Sequence, residues 1–274
     1  MLELLVAAAL TSATPGGAPP ATVTSPVGQG DPAMFVVKDS DTTIYIFGTF
    51  HALDGKTEWF KNRVRSAFES SNELVLETLV PEEPSKPETQ VLSRAAVQLH
   101  NLPVAQSASF LATTRMAINA GRSQGMQVGN GADVVLRHVA EEEGKTVEGL
   151  ETLQLQIDMF NRMPPPAPVP TGGTAFSQGA DLSELSQTMA ELQAAWKRGD
   201  QSVFVHMLDE LNHASPDTYR MMFTERNARW ADWIKARMQT PGVVFVAVGA
   251  GHLAGKDSLL VRLAELGIAS QRVY

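Results

Sequence analysis

Two β-rich runs, MFVV from Met34 and the alternating TTIYIFG from Thr42, flank a polar turn at 38–41. A period of two is that of a half-buried strand, so residues 34–48 predict a hairpin. In EWFKNRVRSAFESS the apolar period changes, with Phe60, Val64 and Phe68 on one helix face. ELVLE at 73–77 predicts a short buried strand. Helical patterning follows over 88–144, with loops at 101–103 and 121–131. GKTVEGLE predicts another strand, with Gly144 stopping the helix before it, and TLQLQIDMF returns to helix.

The run MPPPAPVPTGGTAFSQG breaks both helix and sheet, and predicts a loop over 163–180. Two helices at 181–198 and 201–213 follow, split at Gly199 and Asp200. A third covers 216–238 with Trp230, Trp233 and Ile234 on its apolar side. The chain closes with a strand at 243–248, a helix at 257–266 and a strand at 268–274. Strands at both ends with helices between them predict an α/β fold. The expected architecture is a mixed central sheet with flanking helices and a helical insert, in a single domain over 30–274.

Composition narrows the function. With 274 residues, 43% hydrophobic and 19% charged, the chain is long enough for one sizeable core. No stretch approaches the ~20 apolar residues of a membrane span, so no transmembrane segment is expected. A net charge of −8 without a basic cluster argues against a nucleic-acid partner. The absence of cysteine removes disulfides, thiolate nucleophiles and Cys-ligated zinc. Residues 1–29 stand apart. MLELLVAAAL followed by small residues, Pro and Gly reads as the apolar and cleavage regions of a secretory signal, although Glu3 stands where a positive charge is usual. The alternative is a flexible leader.

Four apolar strands end in a chemically capable residue: IYIFGTF in His51, LVL in Glu77, TVEGL in Glu151 and VFVAVGAG in His252. Ligands of open α/β sheets gather at such carboxyl ends. Both histidines complete a G-x-x-H, from Gly48 and Gly249, and glycines 48, 249 and 251 suggest tight turns. Two imidazoles and a carboxylate suit a divalent metal ion such as zinc, manganese or cobalt, with positions left for water. The same groups also suit a general base and its orienting carboxylate without metal. Arg226, in TERNARWADW, is a candidate to hold a carboxylate or a developing oxyanion, or to pair with a nearby acid, while Glu225 and Arg229 have the spacing of a surface pair. His100, His138, His206 and His213 lie in helical patterns and read as structural.

The segments TIYIFGTFHAL, ELVLET, KTVEGLETLQLQ, FTERNARWA and VFVAVGAGHLAG, in this order, resemble the TraB/GumN family. That family is related to the Tiki metalloproteases, and more distantly to erythromycin esterases and ChaN-type haem-binding proteins. The likeness runs over 33–274. It implies a shared site lined by His51, Glu77 and His252, with Glu151 and Arg226 beside it. The Tiki branch implies a metal-dependent hydrolase, in keeping with a peptidase acting on peptide or small-molecule substrates outside the cytoplasm. There His51, Glu77 and His252 would be metal ligands, Glu151 the general base and Arg226 the oxyanion partner. Two rivals remain: a non-catalytic protein that binds peptide, haem or metal, and a metal-independent esterase with His51 as base.

Overall fold

The computed structural model describes residues 30–79, 119–162 and 178–274. The leader at 1–29, the helical patterns between 88 and 118, His100 and most of the Pro/Gly-rich loop therefore lie outside the described residues.

The expected mixed sheet is present. Its strands are β1 (Met34–Lys38), β2 (Thr42–Thr49), β3 (Glu73–Thr78), β4 (Thr146–Glu151), β5 (Gly242–Gly249) and β6 (Gln271–Arg272). They lie in the order β4-β3-β5-β2-β1-β6. β4, β3, β5 and β2 are mutually parallel, while β1 and β6 extend the sheet antiparallel. The four parallel strands consequently present their carboxyl ends, with His51, Glu77, Glu151 and His252, along one edge.

Alternation sorts the side chains to two faces. Phe47, Leu74, Leu76 and Phe245 point into one cluster with Phe68, Leu136 and Trp196, whereas Ile46, Val75 and Val246 point into the other with Trp230, Ile234, Leu259 and Leu263. β5 is buried from Val244 to Gly249 because both faces are covered, which explains its unbroken apolar run. Each buried Phe or Ile here contributes roughly 1.5–3 kcal/mol of transfer free energy.

Helices α1 (Asn62–Ser70), α2 (Ala132–Glu142), α3 (Leu153–Arg162), α4 (Gln178–Lys197) and α5 (Ser202–Ala214) follow the expected order. The predicted loop over 121–131 is shorter, because 119–123 are helical and Val128–Asn130 form a 3₁₀ turn. α4 opens within the segment read as irregular, since Gln178 and Gly179 are already helical. The helix expected at 216–238 is three pieces: α6 (Pro216–Tyr219), a π-helical turn (Arg220–Thr224) and α7 (Glu225–Arg237). Such π turns arise often at functional sites, and this one offsets the start of α7. The last helix, α8 (Leu259–Glu265), begins late because Ser258 caps it, its hydroxyl accepting from the Val261 amide. The last strand shrinks to the two residues that pair with β1.

Candidate active site

Arg226 is the centre of the site. α7 lies across the second face with Trp230, Ala231 and Ile234 inward, and the same helical stripe carries Arg226 over the carboxyl ends of the strands. The guanidinium is fully buried. Its Nε donates to both Glu151 oxygens at 3.0 Å, and Nη2 lies 2.7 Å from Glu77 Oε2 and 3.0 Å from Glu151 Oε2. Nη1 donates to His252 Nε2 at 3.2 Å and to the Met222 carbonyl at 3.5 Å. The five N–H groups of an arginine are thereby engaged. The Trp230 ring lies 4.6 Å from the guanidinium carbon, adding a cation–π contact.

Each partner is locked in turn. Glu151, 6% exposed, also accepts from Trp230 Nε1 at 3.1 Å, Arg229 Nη2 at 3.3 Å and Gln156 Nε2 at 3.4 Å. A carboxylate with that many donors is an anchor for its neighbours. Glu77 receives the Gly249 amide on Oε1 at 2.7 Å. Burial pushes its carboxyl up, but Arg226, with His252, His51 and that amide, holds it well below the usual carboxylate range. Arg226 itself titrates above its ordinary value, because Glu77 and Glu151 outweigh burial.

His252 is 1% exposed and lies between the Phe223 and Trp230 rings, at centroid distances of 4.8 and 4.4 Å. The Asn227 amide nitrogen donates to the Asp257 carbonyl, so its Oδ1 accepts from His252 Nδ1 at 2.7 Å. That fixes the proton on Nδ1 and turns the Nε2 lone pair to Arg226. Burial pushes the imidazole down to about 3, with Arg226 and His51 opposing protonation and Glu77 favouring it. It is neutral at every ordinary pH.

His51 sits at the rim. Its Nδ1 lies 3.2 Å from Asp133 Oδ1 in the first turn of α2, and its side chain is 12% exposed. The loop after β2 is fastened to the segment before α2: Ala132 donates its amide to the Phe50 carbonyl, and Leu53 and Gln127 exchange backbone bonds. Gly131 permits that contact, since a Cβ there would stand 2.5 Å from the His51 carbonyl oxygen. Burial raises the Asp133 carboxyl, but the His51 ring outweighs it and holds the group below its ordinary value. His51 also acts electrostatically on Glu77 and His252, so the two ends of the array share one field.

The expected residues thus meet in two linked parts: Glu77, Glu151, Arg226 and His252 in direct contact, and His51 beside them with Asp133. Asp133 and Asn227 were not anticipated. Asp133 shows in sequence only as an acid in a helix's first turn, and Asn227 only as the neighbour of Arg226. The expected Glu225–Arg229 pair does not form; Glu225 pairs with Arg220, and Arg229 turns to Glu151. His138 and His206 make exposed pairs with Glu142 and Glu210, and the exposed His213 ring bonds the Asp209 carbonyl, as structural residues would. The tight turn expected at Gly249 and Gly251 is present as the 3₁₀ turn Ala250–Leu253, with none of glycines 48, 249 and 251 at positive φ. Gly48 instead allows close approach: a Cβ there would meet the Ala250 Cα at 3.2 Å.

Among the described residues, no group of three or more His, Asp or Glu is disposed to hold a metal ion. Glu77 directs its lone pairs at Arg226 and Gly249 and His252 its Nε2 lone pair at Arg226, so as arranged they fit a guanidinium rather than a bare divalent ion. Among these residues no helix is long and apolar enough to cross a membrane. No curated protein and no solved structure shows significant similarity to the chain. The sequence does match the TraB/PrgY/gumN family over residues 33–102 and 87–272, which take in all five expected site residues together with Asp133 and Asn227. With that match over most of its length, the chain belongs to the TraB/PrgY/gumN family.

Proposed function

We propose that the protein is a hydrolase of peptide or ester bonds, acting outside the cytoplasm, with His51 as its general base. The observation that carries this reading is the 3.2 Å pair of His51 Nδ1 with Asp133, beside a locked buried array. The Asp133 carboxylate, 3.2 Å from Nδ1, electrostatically favours the tautomer with the proton there, which puts the lone pair on Nε2. Water attacking the scissile carbonyl gives its proton to Nε2, and the leaving group takes that proton back as the tetrahedral intermediate collapses. Arg226, anchored by Glu151, acts as a positioning residue that keeps Glu77 charged at the edge of the site. The leader-like sequence before residue 30 supports the extracytoplasmic setting.

A second reading keeps the divalent ion, zinc, manganese or cobalt. Two carboxylates, Glu77 and Glu151, contact the one fully buried cation, Arg226, with Arg229 half exposed, and a third, Asp133, stands beside His51; that excess of negative charge favours a further cation. The deciding experiment uses protein purified without a His-tag. Metal content and turnover of p-nitrophenyl acetate and a fluorogenic peptide library are measured with and without chelator. Full turnover by metal-free protein supports the His51 reading. Stoichiometric metal whose removal abolishes turnover selects the second, and no turnover in either state leaves a binding protein.

A further inference from the structure

The two edges of the sheet are built differently. β6 is two residues long, and a very short strand is one way to keep an edge from pairing further. β4, at the other edge, has six residues, TVEGLE, with neither a lysine nor a proline to discourage pairing. Thr146, Glu148 and Gly149 are exposed.

The backbone groups on that edge point to solvent. The Thr146 amide donates to the Asn72 carbonyl at 3.2 Å, so Thr146 faces β3. Alternation along the strand then turns the amides and carbonyls of Val147 and Gly149 outward, and no described residue pairs with them. The side chains select what fits there. Glu148 is exposed and has no ion-pair partner among the described residues. Val147 packs against the first cluster, and Gly149, two residues on, leaves a gap on the same face. A cross-strand aromatic ring covers such a glycine gap, and a cross-strand cation suits a lone carboxylate.

We infer that β4 is a docking edge for an extended peptide of the order aromatic, basic, β-branched, which adds to the sheet as an antiparallel strand. Antiparallel pairing is the more stable of the two directions. It sets the aromatic residue opposite Gly149, the basic one opposite Glu148 and the β-branched one opposite Val147. The outward amides and carbonyls of Val147 and Gly149 supply the backbone bonds. The same direction carries the amino-terminal side of the peptide past Glu151 to the carboxyl ends of the strands. From the added strand, β2 and its His51 lie four strand spacings away, ~19 Å or about six extended residues. The inference rests on the hydrolase reading for the docked peptide being a substrate, but docking is separable from turnover.

The test has two arms. In the first, ¹⁵N-labelled protein is titrated with acetyl-Thr-Phe-Lys-Val-Thr-amide, and the Val147 and Gly149 amide signals are expected to move saturably. N-methylation of the peptide's Phe or Val, whose amides face β4, is expected to weaken binding about tenfold. N-methylation of its Lys, whose amide faces away, is expected to change it by less than about threefold. Glu148→Lys is expected to bind this peptide about fivefold more weakly and to prefer the peptide with Glu in place of Lys. In the second arm, cleavage of a fluorogenic dodecapeptide ending in the same segment is compared with p-nitrophenyl acetate turnover. Val147→Pro removes one outward amide without breaking the β3 ladder, and is expected to lower peptide kcat/KM about tenfold while ester turnover stays unchanged. Docking of a peptide that is never cleaved would defeat the hydrolase reading and keep the docking edge. Binding indifferent to which amide is methylated, or a dimer of the free protein that Val147→Pro dissociates, would overturn the docking edge.

Discussion

The two G-x-x-H strand ends have the same motif but different surroundings. His252 is enclosed by Phe223 and Trp230, with both ring nitrogens engaged and its charge suppressed. His51 stands at the rim against a carboxylate, in a loop fastened by backbone bonds and by its buried neighbours Phe50, Ala52 and Leu53. A repeated motif therefore specifies where a side chain stands along the sheet edge and not what it does there. What differs is supplied from outside the motif, by α7 for His252 and α2 for His51.

Removing the hub separates the two ends most strongly. Arg226→Leu leaves Glu77 and Glu151 buried without their cation, and is expected to lower stability by about 3–5 kcal/mol in urea unfolding. His51→Ala, at the rim, is expected to stay within about 1 kcal/mol of wild type. Equal losses for the two variants would mean that the site is one cooperative block.

Activity sharpens the same contrast in the other direction. His51→Ala is expected to reduce turnover by about 10²–10⁴-fold, the usual range for a lost acid–base group. Asp133→Asn, which keeps shape but removes the charge that orients the ring, is expected to follow it with a smaller loss. Glu151→Gln tests the opposing role. As an anchor it weakens folding and turnover together, whereas a general base would lose turnover alone with stability intact.

Much of this site was legible because parallel topology and residue chemistry coincide. A parallel strand must end at a loop on the common edge, and a charged or imidazole residue at that point reaches it, which marks His51, Glu77 and His252 after buried strands and Glu151 after the largely exposed edge strand β4. The pairings were not legible. Asp133 meets His51 across a loop whose approach depends on Gly131, and Asn227 matters only because a π-helical turn offsets α7. The boundary missed at Gln271 shares that cause, since edge pairing with β1 is settled by a contact distant in sequence, whereas the one at Ser258 is set locally by its capping bond to Val261. Gly48 was found for the wrong reason: turn geometry was expected there, and close packing against Ala250 is what the structure has.

The pH dependence of stability separates the histidines next. His252 titrates at about 3 when folded against 6.5 ordinarily. Between these values the unfolded chain takes up a proton that the folded site refuses, so stability falls as pH falls from 6.5 towards 3. Over the two units above pH 4.5 the loss reaches roughly 2–3 kcal/mol. Below 4.5 the depressed Glu77 adds to it in the same direction, because the folded site then resists protonation of that carboxylate as well. Urea unfolding at steps of half a unit should show a slope from pH 6.5 to 4.5 that His252→Asn flattens. An unchanged slope in that variant would mean that His252 is not held neutral.

The smallest effect concerns the glycine at which the two motifs touch. Gly48 belongs by sequence to the His51 motif, yet the atoms a Cβ would meet there belong to the His252 turn: Ala250 Cα at 3.2 Å, Leu253 Cδ1 at 3.3 Å and Ala250 Cβ at 3.4 Å. One contact is backbone and cannot swing away, so the turn Ala250–Leu253 must shift by a few tenths of an ångström. The expected loss for Gly48→Ala is about 1–2 kcal/mol, within the range for overpacking a filled site. The shift should register at His252 and not at His51, because the Phe50 carbonyl and Leu53 bonds that hold the His51 loop lie beyond the strand end. Imidazole Hε1 signals, assigned with His51→Ala and His252→Asn, read the two sites in one spectrum. Movement of the His252 signal alone ties the first motif's glycine to the second motif's histidine, and movement of the His51 signal alone would break that assignment.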